Sequence, residues 1–276
     1  MIISFGYICM ELQMNLADPL DFPCSIKSSD AYTSIGGSAA NQAIAAARCG
    51  AKTSLIGAIG NDLLGKTILD TLRREGIAST GIAKKTLPTS IINSIIDMNA
   101  QKASITLEGA NADISTQQIP SFALNEKTTL LLQNDVDSDV NITVLKRAKE
   151  CGGRSIMCIN HANNLNTALL DNLDMAIINE NIKTDIEKQC FPIKDYIVAK
   201  DASLGGTRLA THTNGCFDAF CGCFAACIQA GMSIEHSIEY AEIAAELTTK
   251  KAGAYNAFPY LGDIEDHIAA IKSQEG

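Results

Sequence analysis

Apolar residues along this chain fall in short blocks divided by polar, glycine or proline turns, and the period within each block sets the element it predicts. Residues 2–31 read as strand and extended loop, because Pro19 and Pro23 exclude a helix there. The turn Ser34-Ile35-Gly36-Gly37-Ser38 then opens an alanine-rich helix over 39–48 that Gly50 can end. Residues 53–59 form a short buried strand, and Gly60-Asn61-Asp62 leads into a helix over 63–75 whose Leu64, Ile68, Leu69 and Leu72 share one face. Two strands, 90–98 and 103–107, flank the polar turn Asn99-Ala100-Gln101-Lys102 and predict a hairpin apart from the main sheet.

Beyond residue 111 the blocks alternate: strand 128–133, helix 141–150, strand 155–160, a short helix near Leu169, and strands 175–179 and 196–199. Three helices follow, over 218–230, 233–250 and 263–272. Alternation of this kind predicts an α/β fold, a doubly wound and mostly parallel sheet with helices on both faces. A single domain over 1–276 is expected, with a small β lid formed from about 8–34 and 88–110. Ligands of such sheets bind beyond the carboxyl ends of the strands.

Composition narrows the partners. With 22 basic against 31 acidic residues, the net charge of −9 argues against nucleic acid or an anionic membrane as the main partner. The start of the chain lacks the basic and long apolar regions of a secretory leader, and the uncharged run 219–234 is too short to span a bilayer, so a cytoplasmic protein is expected. Its ten cysteines are then expected as free thiols. Cys216, Cys221, Cys223 and Cys227 show no C-x-x-C spacing, and His161, His212, His236 and His267 show no paired-ligand spacing, so no metal site is assigned.

The candidate chemistry centres on Thr211-His212-Thr213-Asn214-Gly215-Cys216-Phe217-Asp218-Ala219-Phe220. Asn-Gly is a turn signal and an apolar helix follows, so Asp218 is placed at or just inside a helix N-terminus. Backbone N–H groups there can hold a phosphate while the carboxylate takes a proton from an attacking hydroxyl. On this stretch alone, simple capping explains the aspartate equally well. Gly60-Asn61-Asp62-Leu63-Leu64-Gly65-Lys66-Thr67 also satisfies the P-loop pattern G-x-x-x-x-G-K-[ST], which makes a P-loop NTPase a lesser alternative; the leucines at its centre and Asp62 as a helix cap speak against it.

Taken together, Gly36-Gly37-Ser38-Ala39-Ala40-Asn41-Gln42-Ala43, Arg48-Cys49-Gly50-Ala51 and Ile56-Gly57-Ala58-Ile59-Gly60-Asn61-Asp62-Leu63-Leu64-Gly65 resemble the N-terminal signature of the ribokinase-like (PfkB) carbohydrate kinases. Asn214-Gly215-Cys216-Phe217-Asp218-Ala219-Phe220 is similar to a degraded form of the C-terminal signature, and Gly109-Ala110-Asn111-Ala112 and Lys250-Lys251-Ala252-Gly253-Ala254 fall in the family's order. The resemblance implies transfer of a phosphoryl group from ATP, with Mg2+, to a hydroxyl of a sugar or nucleoside. By the same matching Asp218 is the general base, and the N–H groups of Gly215, Cys216 and Phe217 form an anion hole. Glu11, Gly36, Gly37, Asn41 and Asp135 hold substrate, while Asn179, Gly205 and Gly253 lie on the nucleotide side. A homodimer through the lid is the expected assembly, because an exposed sheet edge invites pairing.

Departures from the pattern cluster on the nucleotide side. His212-Thr213 replaces the D-T where a monovalent cation is often held, and Phe217 replaces the turn's second glycine, a strained choice if that position needs a positive φ. Asn179-Glu180-Asn181-Ile182 lacks the glutamate of N-x-x-E, and Ser203-Leu204-Gly205-Gly206 only faintly echoes a glycine-rich loop. These departures keep a second class open, a sugar-binding or regulatory pseudokinase on the same fold.

Overall fold

The structure, a computed structural model, describes residues 1–19, 25, 27–99, 102–189, 196–200, 215–251 and 253–274. In chain order its first elements are β1 (Ile2–Phe5), β2 (Cys9–Leu16), β3 (Ser28–Gly36), α1 (Ser38–Arg48), β4 (Thr53–Gly60) and α2 (Leu63–Arg74). There follow β5 (Ala78–Lys85), β6 (Ser90–Ile96), β7 (Lys102–Leu107), β8 (Thr129–Gln133), α3 (Ser138–Glu150), β9 (Arg154–Ile159) and α4 (Thr167–Leu170). The last are β10 (Met175–Asn179), α5 (Lys183–Lys188), β11 (Tyr196–Ala199), α6 (Cys216–Gln229), α7 (Ile234–Thr249) and α8 (Leu261–Gln274).

Seven strands form one sheet in the order β11-β10-β9-β8-β1-β4-β5, and every pairing in it is parallel. The winding leaves β1 in both directions, toward β4 and toward β8. That reversal opens a crevice at the carboxyl ends of β1 and β8, where ligands of open parallel sheets bind. Alternate residues of β1 serve two layers: Ile2 packs in the cluster with Phe220, Phe224, Ala244 and Ile264, whereas Ile3 and Phe5 pack with Val144, Leu145 and Leu169. Thus α6, α7 and α8 cover one face and α3 and α4 the other, the doubly wound arrangement that the alternating blocks predict. A second sheet, in the order β3-β2-β6-β7, joins the expected hairpin β6–β7 to the N-terminal strands.

The sequence pattern missed β5 and α5 for a common reason. Both are edge elements with little to bury: β5 has no buried residue, and the only one in α5 is Ile186. Neither presents an apolar block. The P-loop alternative fails on hydrogen bonding. The Gly65 N–H donates to the Asp62 carboxylate (2.8 Å) and the Lys66 N–H to the Asp62 carbonyl (3.1 Å), so amides that would cradle a phosphate serve a helix cap. The same carboxylate accepts from the Thr89 hydroxyl (2.6 Å) and N–H (2.8 Å), which fastens this turn to the start of β6.

Helices α1 and α6 touch backbone to side chain. A Cβ placed on Gly222 of α6 would stand 2.5 Å from the Gln42 carbonyl and 2.5 Å from the Ala45 Cβ, so only glycine permits the approach. At the end of α1, Arg48 forms a two-pronged pair with Glu75 (2.9 and 2.8 Å) and donates to the carbonyls of Tyr255 (2.9 Å) and Phe258 (2.7 Å). Gly222→Ala is therefore expected to lower stability by about 1–3 kcal/mol through overpacking, measured as the midpoint of urea unfolding. A midpoint equal to the parent's would show that the helices separate without cost.

Candidate active site

Helix α6 begins at Gly215, whose φ of 86° is left-handed and whose absent side chain leaves room for the Phe258 ring, 2.9 Å from where a Cβ would lie. The first helical bond runs from the Ala219 N–H to the Gly215 carbonyl (2.8 Å), and the N–H groups of a helix start are suited to anions. Cys216 and Phe217 belong to the helix, and Asn164 is the only non-glycine with positive φ among the described residues. Phe217 is thus unstrained, and it packs against the apolar cluster that contains Phe220 and Ala244. The conformational demand falls two positions earlier, on Gly215, where the chain keeps its glycine.

Asp218, in the first turn of α6, is met by side chains some 176 residues away in sequence. Gln42 Nε2 donates to its Oδ1 (2.9 Å) and Asn41 Nδ2 to its Oδ2 (3.0 Å). Burial pushes its carboxyl up from 3.8 to about 7; the Gln42 and Asn41 donors oppose that rise, and the charges of Asp135 and Glu11 add to it. The carboxyl group therefore changes charge near neutrality, where a general base works best. Asn41 is 6% exposed and its Oδ1 has no partner, so an acceptor is left ready beside Asp218.

A cavity of about 290 Å3 lies between the two sheets, lined among others by Tyr7, Gly37, Ser90, Thr106, Asp135 and His161. Asp135, just past the end of β8, accepts from the Ser38 hydroxyl (2.7 Å) and from His161 Nε2 (3.1 Å). Burial pushes the Asp135 carboxyl up, but His161 and Ser38 outweigh it and hold the group below the usual carboxylate value. His161 is raised in turn by its bond to Asp135. Glu11 points inward from β2, 7% exposed, and accepts from the Ser94 hydroxyl (3.3 Å). Gly36 lets it approach, since a Cβ there would lie 3.3 Å from Glu11 Oε2. Gly37 caps α1 at φ 89°, where a Cβ would meet the Tyr7 carbonyl at 2.5 Å.

Of the residues expected to hold substrate, Gly37 and Asp135 line the cavity, while Asn41 sits on Asp218. On the nucleotide side, Gly253 precedes Ala254, whose Cα lies 3.4 Å from where a Gly215 Cβ would stand. Asn179 ends β10, accepts from the Asn181 N–H (3.1 Å) and donates to Asn160 (3.2 Å). Gly205, with His212 and Thr213, lies outside the described residues. Sequence reasoning passed over Ser38, Gln42, Gln133 and His161. The available signal was position: Gln133 closes β8 and His161 follows β9, both at carboxyl ends of parallel strands.

The pattern of the pfkB family carbohydrate kinases matches residues 1–184 of the 276. The chain belongs to that family. Curated relatives of this pfkB member include the ribokinase of Lactococcus lactis, 26% identical over 269 residues with 86% of each chain covered, and that of Bacillus subtilis, 26% identical over 263 residues with 85% of this chain and 87% of the other covered. Among solved structures, a ribokinase from Thermotoga maritima superposes with a TM-score of 0.85 at 23% identity, covering 97% of this chain and 99% of the other. The ribokinase of Arabidopsis thaliana, solved with ribose and ATP, gives a TM-score of 0.82 at 20% identity, covering 96% of this chain and 97% of the other. The family's sequence pattern ends before α6, whereas the likeness of fold takes in nearly the whole chain.

The raised carboxyl of Asp218 links pH to stability with a definite sign. Between about 4 and 7 the folded chain binds more protons than the unfolded one, so stability falls as pH rises through that window. Asp218→Asn removes the charge and leaves a side chain that Asn41 and Gln42 can still meet. The variant is expected to melt at a higher temperature than the parent at pH 8 and at about the same temperature at pH 5, in paired thermal melts. A lower melting temperature at pH 8 would contradict it.

Proposed function

We propose that this pfkB-family protein transfers the terminal phosphoryl group of ATP to a hydroxyl of a sugar or nucleoside, with Asp218 as general base. One observation carries the proposal: Asn41 and Gln42 of the first signature both donate to Asp218 of the second, at a helix N-terminus. Elements distant in sequence thereby place a carboxylate that titrates near pH 7 beside amides suited to phosphate oxygens. A substrate hydroxyl approaching Asp218 would donate its proton to the carboxylate, and its oxygen would attack in line. Backbone N–H groups of Gly215, Cys216 and Phe217 would receive the charge that develops on the transferred group. Glu11, Gly36, Gly37, Asn41 and Asp135 would hold the remaining hydroxyls, with the Asn41 Oδ1 accepting one of them.

ATP supplies the phosphoryl group when bound, and Mg2+ would enter with it, coordinated mainly by phosphate oxygens and water. Asn179 and Gly253 would stand on the nucleotide side. Among the described residues no three His, Cys, Asp or Glu side chains gather to hold an ion of their own. A second reading, a sugar-binding protein that transfers no phosphate, is favoured by Ile182, an apolar side chain packed against the core where the resemblance expects a glutamate. Release of ADP separates the two. Because the relatives named above are ribokinases, ribose is the first sugar to test.

The small sheet is proposed as a lid over the cavity and as the seat of a homodimer. Its pleat is inverted. Glu11, Gln13 and Ser94 are buried, whereas Met10, Leu12, Met14, Ile91 and Ile95 on the other face remain partly exposed. Ile105 and Leu107 of β7, on that same face, are 67% and 49% exposed. A second copy presenting the same apolar face would cover it in an isologous pair. Among the described residues no helix is long and apolar enough to cross a membrane.

With ATP, Mg2+ and a panel of ribose, other pentoses, hexoses and nucleosides, the protein is expected to release ADP with one of them. Asp218→Ala should lower that turnover by about 100- to 10,000-fold. The acid limb of kcat/KM is expected near pH 7, and full activity of the variant would rule out the base. For the assembly, sedimentation should give a dimer and Ile105→Lys a monomer; a monomeric parent would refute the interface.

A further inference from the structure

Gln42 is 1% exposed and makes two hydrogen bonds of opposite sense. Its Nε2 donates to Asp218 Oδ1 (2.9 Å), and its Oε1 accepts from Gln133 Nε2 (2.9 Å). Gln133, also 1% exposed, has its NH2 group among three acceptors, for it further approaches the Leu131 carbonyl (3.4 Å) and the Ser4 hydroxyl (3.5 Å). A flipped Gln133 amide would turn its oxygen against those acceptors, so its orientation is fixed. With Gln133 donating, Gln42 can only present its NH2 to the carboxylate.

The amides thus run head to tail from the end of β8, across α1, to the first turn of α6. Gln133 Oε1 is left without a partner, facing Gly6, the one residue type whose missing Cβ gives that oxygen room. A buried carbonyl oxygen without a donor is unfavourable, and the arrangement retains it to keep the NH2 pointing at Gln42.

Resting on the kinase reading above, we propose that Gln42, oriented by Gln133, is the positioning residue that aims the Asp218 carboxylate at the substrate hydroxyl. The two donors on Asp218 differ in kind. Asn41 keeps an oxygen without a partner and can serve substrate, whereas both polar atoms of Gln42 are engaged within the protein and the side chain is sealed from the cavity. The charged groups facing Asp218 are Glu11 from β2 and Asp135 after β8, both acidic; the thiols of Cys9 on β2 and Cys221 on α6 also sense its charge, and His161 lies against Asp135. No cation among the described residues forms an ion pair with Asp218. Neutral amide donors are therefore what favours its charged form, and Gln42 fixes the direction of one oxygen.

The test is Gln42→Leu, assayed with ATP, Mg2+ and the sugar that the parent turns over. At pH 7 kcat is expected to fall by about 10- to 100-fold with KM for the sugar within about 3-fold. The acid limb of the profile is expected to move up by about 1–2 pH units, because a donor to the charged form is lost. A kcat and acid limb like the parent's, or a loss confined to KM, would overturn the proposal. If Gln42→Leu does not fold, Gln42→Met keeps the length of the side chain while removing both polar atoms, and with them the donor to Asp218. Its kcat must then fall at least 10-fold, and parental turnover would be decisive against the relay. A parent that phosphorylates no sugar defeats the kinase reading alone; the Asp218 carboxyl titration, followed by carbon NMR in parent and Gln42 variant, then decides the relay, which requires the midpoint to rise.

Discussion

The contact of α1 with α6 at Gly222 is the constraint from which the site follows. Helix axes this close need small residues on both sides, and α1 presents Ala39, Ala40, Ala43, Ala45 and Ala46 as buried positions, while α6 offers Gly222 against Ala45 and the Gln42 carbonyl. Only at that separation can the short side chains of Asn41 and Gln42 reach a carboxylate in the first turn of α6. Both ends of α1 are fixed as well. Gly37 lies against the Tyr7 carbonyl, and Arg48 ties the other end to Glu75 and to the carbonyls of Tyr255 and Phe258. Phe258 in turn packs over Gly215, so the arginine supports the turn that opens α6 through Phe258.

Within this frame two aspartates are driven apart in acidity. Asp135 has a hydroxyl and an imidazole on its oxygens and stays ionised well below neutrality, whereas Asp218 has amides, burial and two acidic neighbours. In the proposed mechanism such divergence would separate a group that holds hydroxyls from one that accepts a proton. It also has a cost, since an ionised Asp218 among acids destabilises the fold that positions it. Active sites commonly show this opposition between stability and function.

Much of the fold was legible in the sequence because the strands of the main sheet are buried on both sides and appear as continuous apolar blocks, Leu130-Leu131-Leu132 being the plainest. Edge elements escaped: β5 and α5 bury too little to leave a periodic signal. The site was legible where glycine is obligatory, at Gly37 and Gly215, and where one acid follows such a turn. Ser38, Gln42, Gln133 and His161 were not, because their roles depend on partners brought near by the sheet order. Nor was the bond from the Asn41 amide to Asp218, since a pairing across 177 residues has no local signature.

The weakened C-terminal signature is less of a loss than its letters suggest. Motif comparison counts Cys216 and Phe217 as departures, yet both positions are helical, where any L residue fits, and both side chains turn into the apolar layer. What the turn requires is a left-handed residue with no side chain beneath Phe258, and Gly215 meets both conditions at φ 86°. The donors of the proposed anion hole are backbone groups, indifferent to the side chains they carry. The family's sequence pattern ends at residue 184, while the likeness of fold to the Thermotoga maritima ribokinase covers 97% of the chain. If, as proposed, the chemistry belongs to the backbone, drift in such a motif is tolerated at positions whose φ is negative.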